Sequence, residues 1–242
     1  ENRKCYKQPI CIIRILQGEL MNGKLYLCAT PIGNLGDVSA RCLEAFNNAD
    51  LIAAEDTRRT LQLLNHFEIS KPLTSYHEHN KDSKGGYLIN KLLEGENIAL
   101  ISDAGMPGIS DPGEDIIKQA IEHNIDIEVL PGATASITAL VGSGLETAKF
   151  AFEGFLDRDK KVRRNQLEEL KEERRTIIFY ESPHRLKDTL KDMLKVLGNR
   201  RIAVNREITK KYQEIIREDI ETVINIFNEK EVKGEFVLIV EG

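Results

Sequence analysis

Short apolar runs alternate with amphipathic stretches along most of the chain, and this alternation predicts an α/β protein. In the first half, predicted strands lie at residues 24–30, 51–54, 73–77, 97–101 and 127–130. Predicted helices lie between and after them, at residues 39–47, 57–66, 83–93, 114–122 and 134–141. Because helices separate successive strands, the pattern predicts a largely parallel sheet with helices on both faces.

A Gly-rich stretch at residues 141–144 marks the best domain boundary, near residues 143–149. We therefore expect an N-terminal α/β domain at residues 21–145 and a C-terminal α/β domain at residues 146–242. In the second domain, strands are predicted at residues 150–155, 176–180, 201–204 and 236–240, and helices at 164–173, 185–196 and 219–228.

The first twenty residues do not belong to this pattern. Residues 9–16 are apolar, but the run is short, contains Arg14 and has no small-residue cleavage site after it. It is a poor signal peptide. We interpret Met21, just before the first predicted strand, as the natural start, and residues 1–20 as a lead that is foreign to the natural protein.

Composition and charge narrow the class of protein. The 242 residues are 41% hydrophobic and 30% charged, which is ordinary for a soluble globular protein. With 34 Lys and Arg against 39 Asp and Glu, the net charge is −5, so any nucleic-acid site must be local. No apolar stretch approaches the roughly 20 residues that span a bilayer. The four Cys lack Cys-x-x-Cys spacing, which disfavours a disulfide scaffold and fits a reducing cytoplasm.

The loop from Ser102 to Gly113 is the strongest candidate ligand site. It follows an apolar strand, and ligands of open α/β sheets bind at the carboxyl ends of strands. Its glycines and prolines leave backbone groups uncovered and rigidly placed. The alternative is a tight connection in which Pro112-Gly113 opens the next helix. The spacing excludes a P-loop and a dinucleotide-binding motif.

Two further Gly/Pro turns also follow predicted strands, at residues 30–37 and 130–136. The second runs into a helix of small residues, which would let the backbone approach a ligand closely. Three such strand ends could converge on one crevice.

Six ordered segments carry a specific resemblance: residues 30–37, 53–58, 102–113, 131–140, 179–185 and 234–242. Together they resemble the ribosomal RNA small subunit methyltransferase I family, the 16S rRNA (cytidine-2'-O)-methyltransferases of the tetrapyrrole methylase superfamily. The resemblance covers Met21 to Gly242. It implies a class III methyltransferase fold, with S-adenosylmethionine in a cleft between two α/β domains, and a homodimer that acts on 16S rRNA of the small ribosomal subunit.

The same resemblance implies the residues that hold the cofactor. These are Pro31, Asp103, Ala104, Gly105, Ile109, Thr134, Ala135, Tyr180, Glu181, Gly234 and Glu235. The set is chemically reasonable, because a sulfonium cation favours carboxylates, carbonyl oxygens or an aromatic face. Tyr180 is the aromatic candidate; the alternative is a core residue at a strand end.

Methyl transfer to a ribose hydroxyl depends mainly on the orientation of the two reactants. A base would accept the hydroxyl proton late in the reaction. The candidate bases are Glu55, Asp56, His79 and Glu181. Asp56 could equally cap the helix that begins at Thr57, and Glu55 could pair with a nearby arginine. His77 and His79 share a strand face, but zinc-site spacing is absent and we expect no metal.

A local basic segment is the candidate RNA contact. Its members are Arg158, Lys160, Lys161, Arg163 and Arg164. Glutamates follow at residues 168–173, so the alternative is a solvated amphipathic helix with charge pairs. The surface could be extended by His184, Arg185, Arg206, Lys210 and Lys211 if the fold gathers them.

Other functions of this superfamily remain as alternatives. Family members commonly continue past the final Val-Glu-Gly into a small helical extension, whereas this sequence stops at Gly242. Without that extension, we expect the cofactor still to bind and docking on the ribosomal particle to weaken. The alternatives are a superfamily enzyme that methylates a tetrapyrrole carbon or a protein side chain, and a non-catalytic nucleotide- or RNA-binding module. The loop Pro31–Asp37 departs from the Gly-x-Gly-x-Gly-Asp usual in tetrapyrrole enzymes, which disfavours the first alternative.

Overall fold

The computed structural model describes residues 22–242, so the predicted lead at residues 1–20 lies outside it. The described residues form two compact units, each built on a five-stranded sheet. The first unit contains residues 22–30 and 38–132, and the second contains residues 31–37 and 133–242. The predicted α/β class is confirmed.

In the first unit the sheet is parallel throughout, in the order β3-β2-β4-β1-β5. Its strands are β1 Lys24–Cys28, β2 Leu51–Ala54, β3 Leu73–Ser75, β4 Ile98–Ile101 and β5 Asp126–Leu130. Its helices are α1 Ala40–Asn48, α2 Thr57–His66, α3 Lys81–Leu93 and α4 Glu114–Glu122. Two of these helices start at side-chain caps, since Ser39 accepts from the Cys42 amide and Asp56 from the Arg58 amide.

Helices cover both faces of this sheet. Phe46 of α1 and Leu64 of α2 pack on one face, against a cluster that includes Ile52. Leu88 of α3 and Ile116 of α4 pack on the other. Alternate residues of β2 and β4 point to opposite faces, which explains why these strands are apolar at every position.

The strand order places a switch point between β1 and β4. The chain leaves β1 toward α1 on one face and leaves β4 toward α4 on the other. Neighbouring strands whose connections diverge in this way leave a crevice at their carboxyl ends, where open α/β sheets bind ligands. The loop from Ser102 to Gly113 begins there.

The second unit has a mixed sheet in the order β6-β7-β10-β8-β9, in which only β6 and β7 pair in parallel among the described strands. Its strands are β6 Phe150–Phe155, β7 Thr176–Glu181, β8 Arg201–Arg206, β9 Glu214–Asp219 and β10 Phe236–Val240. Its helices are α5 Ala135–Ser143, α6 Lys160–Glu169, α7 Leu186–Leu197 and α8 Ile220–Glu229.

Two cores hold this unit together. One lies between the sheet and α6, α7 and α8, with Leu167, Leu190 and Val223 among its members. The other lies on the opposite face, where Leu140 of α5 and Ile32 pack against Val237 of β10. Ile32 explains why residues 31–37 group with the second unit although they follow β1 in the chain.

The structure departs from several sequence-based elements. Strand β3 ends at Ser75, so His77 and His79 lie beyond it and do not share a strand face as expected. The compact units divide at Gly132/Ala133, earlier than the Gly-rich stretch at 141–144, because α5 packs on the second sheet. Helix α6 begins at Lys160 instead of Arg164, since Asp159 caps it by accepting from the Lys161 and Val162 amides. Strand β9 was not predicted.

Candidate active site

The loop after β4 is fastened to the end of β1. Thr30 and Gly105 form a two-way backbone bridge, with N···O distances of 2.9 and 3.0 Å. The buried Thr30 hydroxyl also donates to the Ser102 carbonyl at 3.1 Å. Gly113 must be glycine, because its φ is 155° and a Cβ there would lie 2.9 Å from the Gly108 nitrogen. The loop is therefore a rigid feature of the switch point.

Three carboxyl groups gather around this loop: Glu55 after β2, and Asp103 and Asp111 within the loop. The Asp103 amide donates to Glu55 Oε2 at 3.4 Å, and the Asp56 amide donates to Asp103 Oδ1 at 3.0 Å. Arg59 contacts Asp103, with Nη1 at 3.1 Å from Oδ2. We call Glu55, Asp103 and Asp111 the carboxylate cluster.

Burial is the main cause of a raised pKa at two members of this cluster, Glu55 and Asp111. Burial raises the pKa of Glu55, and the nearby Asp103 carboxylate raises it further. Burial raises the pKa of Asp111 to about 7, with the Glu55 charge as the next cause and a hydrogen bond with Ser102 opposing it. Asp111 was not among the predicted bases, although its place in the same loop was the signal that could have found it.

The other predicted residues of this loop lie at its surface or inside it. The side chains of Ala104 and Ile109 are exposed, whereas Gly105 is buried in the bridge to Thr30. Exposed apolar side chains on a fixed loop can contact the apolar part of a small ligand.

Asp56 and His79 are weaker base candidates than Glu55. Asp56 caps α2, and hydrogen bonds from Arg58 hold its pKa well below its usual range. That confirms the capping interpretation. The His79 ring is exposed and lies 6.1 Å from the His77 ring, centroid to centroid. The described ion pairs join Arg58 to Asp56 and Arg59 to Asp103, and neither joins Glu55, although the Arg59 charge opposes the rise of the Glu55 pKa.

Glu181 belongs to the core of the second unit. Its side chain is buried, Oε2 accepts from the Thr189 hydroxyl, and Oε1 accepts from the Ser182 amide at 2.7 Å. Arg185 Nε lies 3.5 Å from the same Oε1. This placement corrects the expectation of a catalytic base, because both oxygens are occupied by the protein.

Tyr180, on β7, reaches the first turn of α5 with its hydroxyl, and both elements belong to the second unit. The Ser136 amide, in the first turn of that helix, donates to the Tyr180 hydroxyl at 3.3 Å. The rings of Phe152 and Phe155 meet the Tyr180 ring edge-on, with centroids 5.1 and 5.5 Å away. The structure therefore brings Tyr180 close to the predicted cofactor segment at Thr134 and Ala135.

Two other predicted positions, Gly234 and Glu235, contact the β8–β9 connection. A Cβ on Gly234 would lie 2.6 Å from Glu207 Cγ, and a Cβ on Gly33, two residues after Pro31, would lie 2.4 Å from Lys210 Cγ. Lys210 Nζ contacts Glu207 Oε1 at 3.0 Å and Glu235 Oε2 at 2.8 Å. Gly234 and Glu235 thus border one corner of the second unit together with Gly33, and Pro31 lies two residues before Gly33 in the same unit.

The predicted RNA segment divides into exposed and buried members. Arg158, Lys160 and Lys161 are exposed at the start of α6. Arg163 is buried and its Nη2 lies 2.6 Å from Asp192 Oδ2, while Arg164 Nε lies 2.7 Å from Asp192 Oδ1. The expectation of a phosphate contact at Arg163 is corrected, because its guanidinium faces the protein interior.

Residues 22–242 contain neither a metal-binding cluster nor a membrane-spanning helix. Among these residues, no three or more His, Cys, Asp or Glu side chains are arranged to hold a metal ion. No helix in this part of the chain is both long and apolar enough to cross a membrane.

Comparison with known proteins places the chain in a family. The sequence profile of the Tetrapyrrole (Corrin/Porphyrin) Methylases matches residues 24–224. A Halalkalibacterium halodurans protein named ribosomal RNA small subunit methyltransferase I is 57% identical over 220 residues, which cover 91% of this chain and 76% of that protein. The chain belongs to the ribosomal RNA small subunit methyltransferase I family. The Bacillus subtilis member is 53% identical over 91% of this chain and 75% of its own length.

Solved structures agree on the fold. The uroporphyrin-III C-methyl transferase of Thermus thermophilus, complexed with S-adenyl homocysteine, superposes with a TM-score of 0.63. The match covers 90% of this chain and 97% of that one at 16% identity, so it speaks for the fold alone.

Proposed function

We propose that this protein transfers a methyl group from S-adenosylmethionine to the ribose 2'-oxygen of a cytidine in 16S rRNA of the small ribosomal subunit. The observation that carries the proposal is the 57% identity to a relative named for small-subunit rRNA methylation. We further propose that it acts in the cytoplasm as a homodimer, as the resemblance to its family implies.

The residues of each unit fit the cofactor on chemical grounds. In the first unit, the rigid loop after β4 exposes Ala104 and Ile109 and carries the partly exposed carboxylate of Asp103. Carboxylates suit a cation, and backbone groups suit an adenosine and an amino acid. In the second unit, Thr134, Ala135 and Tyr180 lie together, and Gly234 and Glu235 border another corner with Gly33, two residues after Pro31.

Methyl transfer requires the protein mainly to position the cofactor and the ribose hydroxyl. S-adenosylmethionine, when bound, supplies a methyl carbon already activated by its sulfonium. The fixed loop would orient the reactants and exclude water, which accounts for most of the acceleration expected in such a displacement. The ribose hydroxyl remains protonated until late, so a modest base suffices.

Glu55 is the base that the geometry favours. It is half-buried, it is free of any arginine partner among the described contacts, and its pKa is raised. A carboxylate with a raised pKa is a better proton acceptor than an exposed one. Asp111 shares the cluster and, with a pKa of about 7, would hold a proton for part of the time at neutral pH.

The exposed cations of α6 are the proposed phosphate contacts. Arg158, Lys160 and Lys161 stand free of ion pairs among the described residues, at the start of the helix. They supply the local positive surface that a protein of net charge −5 needs in order to hold RNA.

A methyl-transfer assay separates the candidate functions. Small ribosomal subunits that lack the modification, a corrin precursor and a protein extract are each incubated with enzyme and methyl-labelled cofactor. Label in 16S rRNA supports the proposal, and label in the corrin or in protein supports another superfamily activity. Absence of label in all three, together with RNA binding, indicates a non-catalytic module.

A further inference from the structure

The connection between β8 and β9 presents an aromatic ring and a cation at the protein surface. Tyr212 is 65% exposed, an unusual state for a large aromatic side chain. Lys211 Nζ lies over its ring, 5.5 Å from the centroid. Neither residue has a role in the site described above.

The backbone that carries this pair is held tightly. The Thr209 amide donates to Gln213 Oε1 at 2.7 Å, and the Gln213 amide donates to the Lys210 carbonyl at 3.1 Å. Glu207 and Thr209 adopt φ values of 52° and 65°, a conformation that non-glycine residues hold only where surrounding contacts require it. The ring is therefore presented on a fixed turn.

This turn borders the candidate cofactor segments of the same unit. Lys210, adjacent to the pair, contacts Glu235 and crowds Gly33, as described above. The Glu207 amide donates to the Glu235 carbonyl at 2.9 Å. A nucleotide held at Tyr212 would thus lie near the part of this unit that we propose for the cofactor.

From these contacts we infer that Lys211 and Tyr212 form a contact for single-stranded RNA, in which Tyr212 stacks on an unpaired base of the substrate and Lys211 meets a neighbouring phosphate. The inference rests on the proposed function. Proteins commonly hold unpaired bases with an exposed aromatic ring beside a cation. The ring stacks on the face of the base, and the cation binds the negatively charged phosphodiester linkage. Lys211 is suited to the phosphate because no described ion pair engages it, whereas Lys210 is held by Glu207 and Glu235.

Tyr87 provides a matched control. It is 42% exposed on α3 and also has lysines over its ring, Lys84 at 5.1 Å and Lys91 at 5.6 Å. Those lysines are already engaged, Lys84 with the Thr74 hydroxyl and Lys91 with Glu96. Tyr87 therefore has the same local chemistry without the free cation or the fixed turn.

The test uses tryptophan fluorescence, which is clean because the chain has no Trp. Tyr212→Trp and Tyr87→Trp variants are titrated with an RNA hairpin that has an unpaired cytidine loop, and with the same stem closed as a continuous duplex. We expect the hairpin, and not the duplex, to quench the Tyr212→Trp variant, and neither RNA to quench the Tyr87→Trp variant. Tyr212→Ala should weaken hairpin binding about 5- to 100-fold, and Tyr212→Phe much less.

The outcomes distinguish this contact from the proposed function. If wild-type protein binds and methylates small-subunit RNA but hairpin quenching is absent, or is equal in the two Trp variants, the contact is refuted and the function stands. If wild-type protein neither binds nor methylates RNA, both fail. Circular dichroism of Tyr212→Ala checks that any loss of binding occurs in a folded protein.

Discussion

Arg163 Nη2 lies 2.6 Å from Asp192 Oδ2, and the two side chains are only 6% and 3% exposed. The pair joins α6 to α7, and Arg164 adds a second contact to the same carboxylate. Burial opposes ionisation of Asp192, but hydrogen bonds from Arg164 and Arg163 outweigh it and lower its pKa. The pair fixes the helix whose first turn carries the proposed RNA contacts.

Breaking this pair should destabilise the fold. Arg163→Met leaves the Asp192 charge buried and partly unpaired, and we expect a loss of about 3 kcal/mol in the free energy of unfolding, measured in urea. Lys161→Met, at an exposed position of the same helix, should change it by less than about 0.5 kcal/mol. A stable Arg163→Met variant with weakened RNA binding would restore Arg163 as a phosphate contact.

The exposed lysines of α6 should determine the salt dependence of RNA binding. Each phosphate contact contributes roughly one unit to the slope of log affinity against log salt, so Lys160→Ala with Lys161→Ala should reduce the slope by about 2. Affinity should fall for every RNA sequence alike. Lys118→Ala, at an exposed position of α4, is the control and should leave the slope unchanged. An unaltered slope in the double variant rules out these contacts.

Asp111 should make stability fall as pH rises from about 4 to 7. Its pKa is about 7 in the folded protein and near 3.8 in the unfolded chain, so across this window the folded state binds the extra proton. Asp111→Asn removes this dependence. We expect it to be more stable than wild type at pH 8, by about 1–2 kcal/mol after allowance for partial solvation, and to be similar near pH 4. Parallel stability curves for the two proteins from pH 4 to 8 would exclude the shift.

Glu55 should contribute to the methyl-transfer step. Glu55→Gln removes the proposed proton acceptor while keeping size and hydrogen bonding, and kcat should fall by about 10²- to 10⁴-fold with little change in KM. Asp56→Asn is the matched control, because asparagine also caps helices, and its kcat should stay close to that of wild type. Equal losses in the two variants point to a shared structural role instead.

The elements that the sequence predicted well are those with strong local signals. Helix Thr57–His66 and strand Leu51–Ala54 have the predicted bounds, because one begins at a capping aspartate and the other is apolar at each position. Strand β9 has no such signal. Its residues Glu214–Asp219 lie at the edge of the sheet and are mostly polar, so only pairing with β8 reveals it.

The candidate site was predictable as a loop but not as a set of contacts. Glycine and proline placement marks the stretch from Ser102 to Gly113, and the sequence also places Glu55 directly after a strand. Nothing in the local sequence shows that Arg163 turns inward to Asp192, 29 residues away. Nor does it show that the Thr189 hydroxyl donates a hydrogen bond to Glu181. Such pairings depend on tertiary packing between elements distant in the chain.

The position of the transferred methyl group decides whether this protein is a 2'-O-methyltransferase. Small-subunit RNA labelled by this enzyme and S-adenosylmethionine is digested with alkali, which cleaves a linkage only where a free 2'-hydroxyl can attack the adjacent phosphate. A 2'-O-methyl group blocks that attack. We predict that the label appears in an alkali-stable dinucleotide whose first nucleoside is cytidine. Label recovered in ordinary mononucleotides, and therefore on a base, would contradict the account.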